Sequence, residues 1–220
     1  MSTIEIIRWF ALFVFGVSAA VSLISFYYDY PLNLKLLSIL WMLLFLIDVF
    51  GNMLGRMHMQ NYWLYNIFSW IWYPSLAYLY SRKLKSQLIG NIILLFLMVF
   101  PLIIIVDSIF IEGIINLQSF IIVFGGAFVV FMAAAYFRQL YLSEENQNIT
   151  GDAWFWFSFG FIVYFAGGSV PFLGMLNYLT IHDQQFAADY YYYIYLSFTI
   201  LLHLLILTGF LCRTNYQKSH

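Results

Sequence analysis

Two ionisable side chains stand inside long apolar runs: Asp48 in Phe45-Leu46-Ile47-Asp48-Val49-Phe50-Gly51-Asn52, and His203 in Leu201-Leu202-His203-Leu204-Leu205. At the centre of a membrane helix an ionised aspartate costs roughly 2.5–3.5 kcal/mol, so such a group must face other helices, give up its charge or find a partner. A carboxyl and an imidazole in one site can exchange a proton when a ligand arrives, which is chemistry for a receptor or a proton-coupled transporter. Helical spacing places further polar groups near them. Asn52 lies one turn beyond Asp48, and Tyr195, Thr199 and His203 recur every four residues. Asn66, Ser69, Tyr73, Ala77 and Tyr80 form another stripe, and Tyr164 lies in a later apolar run. The candidate ligand or proton site is therefore Asp48, Asn52, Ser69, Tyr73, Tyr164, Thr199 and His203. The same groups could instead be interhelical hydrogen bonds, worth about 0.6 kcal/mol each on average.

Counting from the nearest basic residues gives their depth. Asp48 is 13 residues beyond Lys35 and His203 is 10 before Arg213, or about 20 Å and 15 Å along their helices. The two are expected at nearly equal heights, where a direct or water-bridged hydrogen bond could join them.

Other chemistries find less support. Ser69, His203 and Asp48 could make a nucleophilic triad, but they come from three separate segments with no motif around them. A zinc hydrolase resembling the membrane ceramidases or adiponectin receptors would want an HxxxH pair, whereas Leu207 follows His203 at that spacing; His58, His182 and His220 lie in connections or the tail. Cys212 is the only cysteine. No metal and no cofactor is expected. A photoreceptor resembling microbial rhodopsin would need a lysine in the last span, and none is there.

The elements that must position these residues follow from composition. With 64% hydrophobic and 9% charged residues, the chain is far from the roughly 45–50% apolar and 25% charged make-up of soluble domains. A net charge of −1 gives no reason to expect nucleic acid. Seven apolar segments have spanning length: Ile4 to Tyr28, Leu36 to Leu54, Tyr62 to Tyr80, Leu88 to Val106, Phe120 to Leu140, Ala153 to Leu176 and Tyr190 to Cys212. Each should be a helix, because only helices and closed barrels satisfy their backbones in lipid and no barrel-like alternation is present. The expected fold is an all-α, polytopic seven-helix bundle, one membrane domain over residues 1–220. Seven spans of roughly 21 residues leave about 73 for connections, too few for an appended domain. A cleaved signal peptide is disfavoured because the first apolar run continues to Tyr28.

Putting Ser81-Arg82-Lys83-Leu84-Lys85-Ser86 in the cytoplasm leaves only Arg8 and Arg56 outside, with Lys35, Arg138, Arg213 and Lys218 inside. The N-terminus is then out and the C-terminus in. The sequon Asn148-Ile149-Thr150 falls on the cytoplasmic side, where it stays unmodified. The connection from Asp107 to Ser119, carrying Asp107 and Glu112, is read as an outer loop. Trp154, Trp156 and Tyr190 to Tyr193 are expected to anchor in the headgroups. Pro74 should loosen its helix, and Gly167, Gly168 and Pro171 should form a hinge. Ser18, Ser22, Gly125, Gly126 and Ala133 to Ala135 suit close helix packing.

Tyr62-Trp63-Leu64-Tyr65-Asn66-Ile67-Phe68, Ser81-Arg82-Lys83-Leu84 and Trp154-Phe155-Trp156-Phe157-Ser158-Phe159-Gly160 with Tyr164-Phe165 are similar to stretches of small uncharacterised seven-span bacterial proteins. The resemblance implies the bacterial inner membrane and supplies no activity or functional residue. The leading expectation is a receptor-like module that binds a small molecule or lipid in its outer half and acts on a separate cytoplasmic signalling partner. The surface from Arg138 to Asp152 and the basic third connection would meet that partner. A small proton-coupled transporter and a lipid-modifying enzyme are the alternatives, the enzyme being the weaker.

Overall fold

The computed structural model describes residues 3–26, 30–143, 149–171, 173 and 190–212. Among these the chain forms seven α-helices and no strand: α1 (Thr3–Ser22), α2 (Leu32–Arg56), α3 (Tyr62–Lys83), α4 (Gln87–Val106), α5 (Ser119–Leu142), α6 (Ala153–Ile162) and α7 (Leu196–Leu211). Four of them change pitch at one end. A 3-10 turn, Leu23–Phe26, follows α1; π-helical turns extend α4 over Asp107–Ile111 and α6 over Val163–Ser169, and another, Tyr190–Tyr195, leads into α7.

Five helical segments are long and apolar enough to cross a membrane: Glu5–Ser22, Leu32–Arg56, Gln87–Ile111, Ser119–Leu142 and Tyr193–Leu211. The chain is an integral membrane protein. The apolar run Ala153–Ser169 is shorter. α3 has the length, but its many tyrosines and tryptophans keep it out of this set.

The helix ends depart from the hydropathy reading for local reasons. α1 stops at Ser22 rather than continuing to Tyr28, and residues 27–29 lie outside the described part. At that end the Ser18 and Ser22 hydroxyls donate to the carbonyls of Phe15 and Ala19, bonds that compete with regular helix. α2 starts earlier than expected, directly after Pro31, and ends where His58 adopts a left-handed φ of 56°. Val106 does not end the fourth span; the extra π turn carries it to Ile111, so Asp107 belongs to the helical segment rather than to a loop. Pro74 sits inside an unbroken α3. The expected hinge around Gly167 and Gly168 coincides with the π turn of α6, and Pro171 lies just beyond it.

α1 packs on both α2 and α7, α2 on α3, α3 on α5, α5 on α6 and α6 on α7, so six helices close a ring. α4 lies outside this ring against α3 and α5. Its seam is aromatic: Phe96 stacks on Phe128 at 3.8 Å, and Phe100 meets Tyr73 edge-on at 5.9 Å. Small residues set the approach of helices within the ring. A Cβ on Gly209 of α7 would collide with the Phe157 ring of α6 and stand 3.1 Å from the Ala153 carbonyl oxygen.

We call the end where α1 begins the upper end. The lower half is solid, filled by Leu37, Leu76, Leu79, Tyr80, Tyr136 and Phe157, all fully buried. Trp154 belongs to this core, edge-on to Tyr80 at 5.4 Å, and so is not a headgroup anchor. Trp156 is half-buried and donates to the Thr150 carbonyl at 2.8 Å. Tyr193 is exposed, and the side chains of residues 190–192 lie outside the described part.

Candidate functional site

The upper half of the ring encloses a cavity of about 700 Å³, within the roughly 300–1,000 Å³ range of ligand pockets. All seven candidates, Asp48, Asn52, Ser69, Tyr73, Tyr164, Thr199 and His203, line it. Helix periodicity brings them there. On α2 the lining includes the row Trp41, Leu44, Asp48, Asn52 and Arg56, flanked by Val49 and Met53, and along α7 and the π turn before it the row Tyr195, Thr199 and His203, flanked by Leu196 and Leu202, each row being one face of its helix. The Tyr73 stripe of α3 divides: Ser69 and Tyr73 reach the cavity, Ala77 and Tyr80 enter the lower core, and Asn66 turns toward the α4–α5 connection.

At the mouth stand Arg8 and Arg56. The Arg8 guanidinium donates to the Asn52 side-chain oxygen, and the Asn52 amide in turn donates to the Asp48 carbonyl at 2.8 Å. Arg56 lies over the Trp9 ring, 4.6 Å from its centroid. The Asp48 carboxylate accepts from the Tyr65 hydroxyl at 3.3 Å.

The hydroxyls further down are mostly committed as donors to the protein. Ser69 donates to the Tyr65 carbonyl at 2.9 Å, Thr199 to the Tyr195 carbonyl at 3.0 Å and Tyr73 to the Ile122 carbonyl at 3.2 Å; the Tyr164 and Tyr195 hydroxyls share a bond of 2.7 Å. These bonds hold the helices and leave mainly oxygen lone pairs facing inward.

The floor is aromatic. His203 stacks on Phe15 at 3.9 Å and meets Trp41 edge-on at 5.3 Å, with Trp72 and Phe161 completing the lining beside them. The imidazole is 3% exposed, and its Nδ1 has no hydrogen-bond partner among the described residues.

This geometry corrects the expected equal depth of Asp48 and His203. His203 lies at the level of Trp41, seven residues before Asp48 on α2, which places the acid about 10 Å higher along that helix. Basic residues mark the helix ends poorly: α2 begins at Leu32 and α7 ends at Leu211, so Asp48 stands 16 residues from the lower end of its helix and His203 8 from that of its own. No hydrogen bond joins Asp48 to His203, or either of them to Ser69, among the described residues. The three-residue nucleophilic arrangement is therefore not assembled. No group of three or more His, Cys, Asp or Glu able to hold a metal occurs among the described residues.

Below the floor the ring is tied shut. Tyr80 and Ser158 share a 2.9 Å bond. Beneath them Asp152 accepts from Lys83 at 3.2 Å and from Tyr136 at 2.6 Å, and it caps α6 by accepting from the Trp154 N–H at 2.9 Å. This one carboxylate binds α3, α5 and the start of α6. It lies within the Arg138 to Asp152 surface expected to meet a partner; residues 144–148 of that surface, including Asn148 of the sequon, lie outside the described part. So do His182, Arg213, Lys218 and His220.

Sequence reasoning missed three things. Phe15, Trp41, Trp72 and Phe161 line the floor, but an aromatic facing a cavity carries the same letter as one facing lipid. Arg8 and Arg56, which mark topology in the sequence, also stand at the mouth, where their helical register with Phe15 and Asn52 places them. Asp107 is fully buried, with neither carboxyl oxygen hydrogen-bonded among the described residues. Near it Asn66 donates to the Ile114 and Asn116 carbonyls at 2.8 and 2.6 Å, and Trp70 donates to Gln118 at 2.9 Å, which pins the α4–α5 connection to α3.

No family model, curated protein or solved structure matches this chain.

Proposed function

We propose that this chain is a receptor-like membrane protein that binds a small amphipathic molecule, a metabolite or a lipid, in its upper cavity and acts on a separate partner at its lower end. The observation that carries the reading is the convergence of seven polar residues from four segments of sequence on one aromatic-floored cavity. Charged groups at the mouth suit a polar head, and the stacked rings below suit an apolar body. Coupling would run through α6. Its π turn supplies Tyr164 and Ser169 to the cavity, while its first residues are held by Asp152 against Lys83 and Tyr136. A ligand that shifts the upper part of α6 loads that tie, which can then open or hold for the partner.

The accompanying topology is seven spans with the N-terminus outside, in the inner membrane of a bacterium. It is supported by seven alternating helices and by five basic residues at the lower end (Lys35, Arg82, Lys83, Lys85, Arg138) against Arg8 and Arg56 above, among the described residues. In this reading α3 and α6 also span the bilayer, shielded by their neighbours.

The test is mass spectrometry of small molecules released from the purified protein, set beside Thr199→Trp, which fills the cavity. A compound retained by the native chain and lost from a Thr199→Trp variant of normal melting temperature is the expected result. Equal retention by both would overturn the reading. In proteoliposomes the same compound should bind without accumulating. Uptake abolished by Asp48→Asn would mark the protein as a transporter instead.

A further inference from the structure

We propose that the membrane-facing groove between α2 and α3 is a second binding site, taking one acyl chain of an anionic phospholipid whose phosphate lies against Lys35 and Arg82. The groove has a volume of about 380 Å³ and is walled by Leu36, Ile39 and Leu40 of α2 and by Pro74, Ser75 and Tyr78 of α3. Its origin is a local shortage of side-chain volume. On one face of α3, Pro74 and Ser75 stand between the larger, exposed Ile71 and Tyr78, so the helix surface dips where acyl chains would otherwise meet a ridge. Ile39, Leu43 and Leu46, all exposed, continue the apolar face along α2.

Both helical rows end in a cation at the lower end. Arg82 is one turn beyond Tyr78, with its guanidinium 5.8 Å from the centre of that ring. The ring thus serves as groove wall and as support for the charge. Lys35 is one turn before Ile39. Among the described residues the one salt bridge joins Lys83 to Asp152, so neither Lys35 nor Arg82 is paired. Lys35 also lies in the first turn of α2, a position the helix dipole disfavours for a cation, and no side chain caps that helix. An anion between the two cations would relieve both conditions. Continuity of this charged end with an apolar groove identifies the anion as a lipid headgroup rather than a free ion, since a soluble anion would leave the groove unused. The site is separate from the upper cavity and does not depend on what that cavity holds.

The probe is native mass spectrometry of the detergent-solubilised full chain with equal amounts of palmitoyl-oleoyl phosphatidylglycerol and palmitoyl-oleoyl phosphatidylcholine. The native chain should retain phosphatidylglycerol in preference. Lys35→Gln with Arg82→Gln should reduce that preference about 25-fold, or about fivefold for each cation. Ser75→Leu, which fills the dip, should lower retention of both lipids. Equal retention of the two lipids by the native chain would overturn the proposal without any variant. An unchanged preference in the double variant would overturn it as well, as would displacement of the lipid by an equal concentration of glycerol phosphate, which would show a soluble anion to be the ligand.

Discussion

Asp152 does three jobs with two oxygens, binding Lys83, Tyr136 and the first turn of α6. Asp152→Ala should therefore cost about 2–3 kcal/mol, roughly 1 from the lost cap and the rest from hydrogen bonds to a charged group. Asp152→Asn keeps an oxygen for the cap and should lose about half as much. Unfolding in detergent with added denaturant measures the difference, and equal losses would mean that the cap contributes nothing. The polar positions of the cavity were legible in the sequence because hydrocarbon allows a midplane acid, amide or imidazole little choice but to face inward. Their partners were not. His203 meets Phe15 and Trp41 rather than Asp48, and nothing in Leu201-Leu202-His203 distinguishes stacking from hydrogen bonding.

Helices were legible as apolar runs, whereas their ends and pitch were not. Hydropathy averages over many residues, so it missed both the serine bonds at the end of α1 and the π turn that draws Asp107 into the fourth span. Glycine shows how unevenly one residue type can matter between elements. At Gly209 an added methyl drives α7 away from Phe157 and the Ala153 carbonyl, whereas at Gly90 of α4 nothing lies within 4 Å of it. Gly209→Ala should destabilise by about 1–3 kcal/mol through overpacking. Gly90→Ala should stabilise by about 0.5–1 kcal/mol, since alanine loses less backbone freedom in a helix. Melting curves of the two variants should move in opposite directions; a shared direction would refute the contact made by α7 on α6.

At the scale of the molecule, the proposed orientation predicts opposite labelling at its two ends. In a Cys212→Ser background, a cysteine at exposed Gln60, in the upper connection between α2 and α3, should react with an impermeant maleimide added to intact cells. One at exposed Lys85, in the lower connection, should not. The reverse pattern would invert the topology while leaving the helix packing untouched. The sequence did carry the number of α-helices, seven among the described residues, but not which of them is central. α4, read as one span among equals, lies outside the ring, and α3 lies within it between α2, α4 and α5. The signal was composition: α3 carries five tyrosines and three tryptophans, whose hydroxyl and N–H groups find hydrogen-bond partners in protein rather than in acyl chains. That position bears on how the chain is made. The carbonyls that satisfy Asn66 belong to residues 48 and 50 positions later, across the whole length of α4. α3 therefore completes its polar contacts only once the connection between α4 and α5 has folded back on it.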